Sequence, residues 1–175
     1  MMNEIERALC ERRSIRSYRP DMLPEDVLER ILTAGTYAPT GRNKQAPIII
    51  AVTNKEVRDR LSRLNAAVLG MDSDPFYGAP VVLVVLAKKD VHTYLYDGSL
   101  VMGNLLLAAH SEGIGGCWIH RAKEVFETED GKQILAALGI AGDYEGIGNC
   151  ILGYCATEEL PKAGLRKQDY VYYIK

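Results

Sequence analysis

Residues 80–87 read PVVLVVLA, eight positions with no polar interruption. A strand with one face in water alternates apolar and polar side chains; a continuous run requires cover on both faces. The sheet containing this strand must therefore be flanked by helices. The remaining chain supplies candidates. Ile5, Ala8 and Leu9 mark one face of a helix over Glu4–Glu11. Pro24 suits the first turn of a second helix, with Glu25 and Asp26 complementing its dipole and Val27, Leu28, Ile31 and Leu32 as its stripe, ending between Gly35 and Pro39. Asn54 is placed to cap a third helix carrying Val57, Leu61, Leu64 and Val68. Leu100–Ala109 is apolar almost all round, which predicts a helix deep in the core. A further helix is expected over Lys132–Leu138. Strands are expected over Pro47–Thr53, Cys117–Ile119 and Ile147–Tyr154, with a β-rich tail over Tyr170–Ile174. Residues 70–78 hold Gly, Asp, Ser and Pro and read as a loop. The uneven alternation of strands and helices predicts an α+β fold, a mixed central sheet flanked by helices, formed by residues 1–175 as one domain.

Composition narrows the function classes. With 21 basic and 23 acidic residues the net charge is −2, which gives no general attraction to nucleic acid. No apolar run approaches the ~20 residues of a membrane span, and Met1–Arg13 lacks an apolar leader, so no membrane partner and a cytoplasmic location are expected. Cys10, Cys117, Cys150 and Cys155 form no CxxC pair and read as reduced thiols; Cys150 and Cys155 could meet only if the turn between them allowed it. His92, His110 and His120 show no metal-ligand spacing, and no metal site is expected. There is no GxxxxGKS/T phosphate loop and no GxSxG nucleophile elbow. Gly113, Gly115 and Gly116 begin like a dinucleotide fingerprint. Its last glycine position is Trp118, however, and the run precedes a strand instead of following one.

Four segments carry a chemical signal. In Arg12-Arg13-Ser14-Ile15-Arg16 three guanidinium forks suit a phosphate or a planar heteroatom edge, and an extended backbone puts Ser14 and Arg16 on one face. In Pro39-Thr40-Gly41-Arg42-Asn43-Lys44-Gln45, Gly41 permits close backbone approach, and Asn43 and Gln45 offer both donors and acceptors to a ring edge. Gly115–His120 would pack backbone against an aromatic ligand, with Trp118 as a wall. Lys162–Lys167 is a small basic cluster. Taken singly, they read more readily as a charged surface, a turn, a core strand and a solvated tail.

Together and in order, they resemble the FMN-dependent nitroreductase family. RRSIRSYRPD followed by LPEDVLERILTAGTYAPTGRNKQAPIIIAV is similar to the family's opening, LVMGNLLLAAHSEGIGGCWI to its middle and ILGYCATEELPKAGLRKQDYVYYI to its end. The resemblance implies an interlocked homodimer with FMN in two interface clefts and NADH or NADPH as co-substrate. It implies phosphate and ribityl contacts from Arg12, Arg13 and Ser14, with Arg16 against the pyrimidine side of the flavin, where a guanidinium favours the anionic reduced ring. Pro39, Thr40, Gly41, Asn43 and Gln45 would reach the FMN from the other subunit. Trp118, Ile119 and His120 would flank the N5 region, and Arg166 with Lys167 would complete the phosphate site. The implied activity is two-electron transfer from NAD(P)H through FMN to a nitroaromatic, quinone or similar small-molecule acceptor by a ping-pong mechanism, with no side chain assigned as catalytic. The same fold leaves open a specialised dehydrogenase or flavin-consuming enzyme, or a non-catalytic FMN-binding or sensing protein. The chain departs from the family pattern at Gly41, which lacks a hydroxyl, and at His120-Arg121, which stand where some members have Glu-Gly. The spacing of its C-terminal basic pair also differs. The aromatic, β-branched tail is expected to pair with a sheet edge, one of the partner subunit's included.

Overall fold

The computed structural model describes residues 1–175. Helices α1 (Glu4–Glu11) and α2 (Glu25–Thr36) precede strand β1 (Pro47–Val52) and helix α3 (Lys55–Leu69). Then follow β2 (Val81–Lys88), α4 (Tyr94–Ser111), β3 (Gly115–Ile119), α5 (Ala122–Glu127), α6 (Glu129–Ala137) and β4 (Tyr144–Gly153). The sheet order is β1-β2-β4-β3, and all three pairings are antiparallel. The mixed character expected of the sheet is confined to one parallel bridge, Ser14 to Gly116.

β2 is buried from end to end apart from Lys88. Its odd residues, Val81, Leu83 and Val85, pack with Ile31 of α2 and with Met102 and Leu105 of α4. Its even residues, Val82, Val84 and Leu86, pack with Leu61 of α3, Phe76, and Val125 and Phe126 of α5. The unbroken apolar run thus has helical cover on both faces, as its lack of alternation requires.

Several elements differ from expectation. Pro24 is the N-cap of α2, outside its first turn. α4 begins at Tyr94 and not near Leu100, and it is not sheathed all round: Leu95, Tyr96 and Leu100 stay exposed while Val101, Met102 and Leu105 are buried. α3 turns Leu61 inward but leaves Val57 and Val68 exposed; Arg58, Ser62, Asn65 and Ala66 take the buried face. α5 is an unexpected helix, and α6 starts three residues earlier than its apolar pattern indicated. The tail forms no strand within the chain: a 3-10 turn over Gln168–Tyr170 leads to exposed Val171–Ile174. All four cysteines are free, with Cys117 and Cys150 buried.

Candidate functional site

The N-terminal basic segment is built by the end of α1 and the glycine pair of β3. Arg12 takes an extended conformation as the C-cap of α1. Ser14 then bridges to Gly116, and the Ile15 N–H donates to the Gly116 carbonyl at 3.1 Å. The close approach depends on Gly115, where a Cβ would stand 3.0 Å from Ile15 Cγ1. Ile15 is buried while Arg16 is exposed, which places Ser14 and Arg16 on the outward face as an extended backbone dictates. Tyr18 pins the segment by donating its hydroxyl to the Ile15 carbonyl at 2.6 Å. Burial pushes that hydroxyl far above its ordinary range, so it stays protonated and keeps the bond.

Arg12 and Arg13 line a cavity of about 150 Å³ with His110, Gly115, Gly116 and Cys155, and no carboxylate lines it. Arg13 Nη1 closes the end of α1, donating to the Cys10 and Arg12 carbonyls at 2.7 and 2.8 Å. Arg12 Nη1 is buried with no partner. A buried guanidinium nitrogen without an acceptor is costly, and an oxyanion entering this cavity would supply one. Arg166 and Lys167 are not among the lining residues. Arg166 donates to its neighbour Gly164 at 3.2 and 2.9 Å, and the Lys167 ammonium lies 5.5 Å from the Tyr170 ring centre.

From Gly115 the edge strand β3 rises about 13 Å to its other end, at roughly 3.3 Å per residue. Trp118 stands there against Gly148, where any Cβ would collide with the indole. The Ile119 side chain points into the core between the sheet and α5, so any ligand contact by Ile119 must come from its backbone. His120 is exposed, and its carbonyl accepts from Asn65 Nδ2 at 2.9 Å and Asn149 Nδ2 at 3.4 Å. Arg121 is left-handed at φ 75°, a conformation that favours glycine. Edge strand β3 thus has a cation-lined cavity at one end and an aromatic wall at the other.

The second segment lies across the sheet. The Gly41–Gln45 turn precedes β1, at the edge opposite β3 and three strand spacings, about 14 Å, away. Within one chain the two halves stay on opposite edges. Pro39 is exposed, whereas Thr40 and Gly41 are half-buried. The Gly41 N–H donates to Asp97 Oδ1 at 3.0 Å, and the Thr93 hydroxyl donates to Asp97 Oδ2 at 3.0 Å. A Cβ at Gly41 would strike the Thr93 hydroxyl, so position 41 has no room for a side chain in this turn. The Gln45 N–H donates to Thr40 Oγ1 at 3.1 Å, and Gln45 Nε2 to Asn43 Oδ1 at 3.2 Å. Arg42, Asn43 and Gln45 are all left-handed, with φ of 51°, 53° and 49°. Asp97 and Thr93, which hold this turn, have no motif of their own in the sequence.

The model of the nitroreductase family matches residues 9–71 and 67–154. A curated Archaeoglobus fulgidus protein, provisionally named an NADH dehydrogenase/NAD(P)H nitroreductase, is 29% identical over 162 residues, covering 90% of this chain and 89% of that protein. The Bacillus subtilis FMN reductase (NAD(P)H) is 28% identical over 131 residues, 65% of this chain. The chain spans little more than half of some curated relatives, 53% of the B. subtilis protein and 58% of one from Methanothermobacter thermautotrophicus. The crystal structure of a Bacteroides fragilis nitroreductase with bound FMN superposes with a TM-score of 0.90 at 27% identity, over 99% of this chain and 100% of that one. The chain belongs to the nitroreductase family.

Proposed function

We propose that this chain forms a homodimeric, FMN-dependent oxidoreductase that takes two electrons from NADH or NADPH and delivers them, in ping-pong fashion, to a small acceptor such as a nitroaromatic or a quinone. The observation that carries the reading is the buried, unpartnered Arg12 Nη1 in a carboxylate-free cavity at the head of β3. The donor set fits FMN. Arg12, Arg13 and Ser14 hold the phosphate and ribityl chain, and Arg16 stands over the outward face beyond them. Trp118 and His120 bound the ring, with Ile119 contributing backbone. Arg166 and Lys167, which lie outside that cavity here, are the further basic residues assigned to the phosphate. Pro39, Thr40, Gly41, Asn43 and Gln45 come from a second copy, because within one chain they occupy the far edge of the sheet. Bound FMN supplies hydride and electron transfer; the chain's residues position it, favour a negative ring through Arg16 and exclude water.

The apolar surface left uncovered supports the dimer. Leu95, Tyr96 and Leu100 of α4 and Ile5 and Leu9 of α1 are all exposed. The deciding experiment is to load the protein with FMN and follow NADH and NADPH oxidation with a quinone and a nitroaromatic. Turnover with either nicotinamide supports the reading. Tight FMN binding without flavin reduction by either would instead define a binding or sensing protein.

A further inference from the structure

We propose that the cavity on the outer side of the Gly41–Gln45 turn binds an oxyanion carried by the substrate, with Arg42 and Lys44 as the selecting side chains. The proposal rests on the reading above, in which the same turn borders the FMN of a second copy. The cavity measures about 680 Å³, within the range of small-molecule sites. Lys88 and Tyr144 line it from the sheet, and Asp90, His92 and Thr93 from the segment entering α4.

Its charge is one-sided. Lys88 lies 3.0 Å from Asp90, the sole carboxylate in the lining, and the two neutralise each other. Arg42 and Lys44 line the cavity without an ion-pair partner, and His92 adds a third nitrogen ligand for an anion. An exposed arginine needs no special backbone to stay solvated, yet Arg42 is left-handed, flanked by left-handed Asn43 and followed by left-handed Gln45. Such conformations are costly for residues that carry a Cβ, and they persist only where surrounding contacts impose them. The turn's own bonds hold them here: the Asn43 N–H donates to the Thr40 carbonyl at 3.0 Å, the Lys44 N–H to the Gly41 carbonyl at 3.1 Å and the Gln45 N–H to Thr40 Oγ1 at 3.1 Å, while Asp97 anchors the turn at the Gly41 N–H. The turn is therefore preorganised to aim two cations at the cavity, beside a tyrosine ring able to contact the apolar remainder of a ligand.

The shared chemistry of the ligand is a phosphate or carboxylate on a planar or nucleotide-like body. It could be the 2′-phosphate of NADPH or an anionic group on the electron acceptor. The test compares the FMN-loaded protein with an Arg42→Asn/Lys44→Gln double variant; asparagine tolerates the left-handed backbone that arginine occupies. Two ratios of kcat/KM are measured, NADPH over NADH and nitrobenzoate over nitrobenzene. One of them is expected to fall by roughly tenfold in the variant, the size of one screened charge pair, and in the unmodified protein to shrink with added salt. The NADPH ratio falling assigns the nicotinamide phosphate; the nitrobenzoate ratio falling assigns the acceptor. Independently of turnover, adenosine 2′-phosphate or benzoate should raise the melting temperature of the unmodified protein and not that of the variant. If the double variant fails to retain FMN, Lys44→Gln alone carries the comparison, since Lys44 has an ordinary φ of −74°. Both ratios and both melting shifts unchanged in an FMN-retaining variant would overturn the proposal. Absence of FMN from the unmodified protein would overturn the parent reading, while the ligand-induced melting shifts would still report on the cavity.

Discussion

Asp97 is 3% exposed, and each of its oxygens accepts one hydrogen bond, from Gly41 and from Thr93. Asp97→Ala would leave the Gly41 N–H without its acceptor, at a cost of about 2 kcal/mol, and release the strained turn. Denaturant unfolding should show that loss together with faster FMN release, and Asp97→Asn, which keeps an acceptor at Oδ1, should recover much of both. Arg12 is expected to behave in the opposite sense. Arg12→Ala removes a guanidinium whose Nη1 is buried without a partner, so the FMN-free protein should be no less stable, while FMN affinity drops by about tenfold to a hundredfold for the lost charge-assisted bonds. A parallel loss of FMN-free stability would show that Arg12 is structural. Both segments that these residues serve were legible in the sequence, because arginines and turn formers cluster there. Asp97 was not, since a lone aspartate in an apolar helix carries no sign of the distant backbone N–H it satisfies. In the sequence Arg121 is only a departure from the family pattern, and its positive φ gives that departure a physical form.

Helix α3 shows why element patterns misled. Its apolar spacing placed Val57 and Val68 inward, yet polar Arg58, Ser62 and Asn65 take the buried face because each has a partner there. Arg58 donates to the Ala79 carbonyl at 2.9 Å and to Asp74 at 2.6 Å, and the Ser62 hydroxyl donates to Asp74 at 2.5 Å. Asp74 also accepts the Phe76 and Gly78 N–H groups at 2.9 and 2.7 Å, so one carboxylate ties the 70–78 loop to α3. Partial burial raises its pKa, but Arg58, Ser62 and the two backbone donors outweigh burial and hold it below the ordinary range. A carboxylate with a lowered folded pKa stabilises fully above the unfolded value, near 4, and loses that contribution as pH falls through the folded one. Urea midpoints measured from about pH 5 down to about pH 3 should therefore decline, and Asp74→Asn should flatten the decline. The apolar pattern starts α4 six residues late because Asp97, Gly98 and Ser99 are poor helix formers; a Cβ at Gly98 would press on Ile147. α5, at six residues, is too short for its periodicity to register.

At the scale of the molecule, the unbroken β2 sequence was the reliable guide, since a strand buried on both faces leaves few architectures open. The strand order was not legible: nothing in Pro47–Val52 or Gly115–Ile119 says which edge each occupies, and that assignment separates the two halves of the proposed site. The tail forms no strand within one chain, and an edge on a partner subunit is the remaining half of that expectation. Its β-branched and aromatic residues signal pairing, yet within the chain they pair with neither edge strand, β1 nor β3, and Tyr172, Tyr173 and Ile174 stand exposed. If they cover a second copy, deleting residues 168–175 should shift the elution volume toward the monomer and lower the melting temperature; an unchanged profile would show that the tail takes no part in the dimer. The central claim is that two copies together build each FMN site. It is tested most directly by flavin absorbance per chain across a size-exclusion profile with mass detection. One FMN per chain, confined to a dimer-sized peak, is the expected result. Flavin carried by a monomer-sized peak, or a dimer that stays colourless after incubation with FMN, would contradict it.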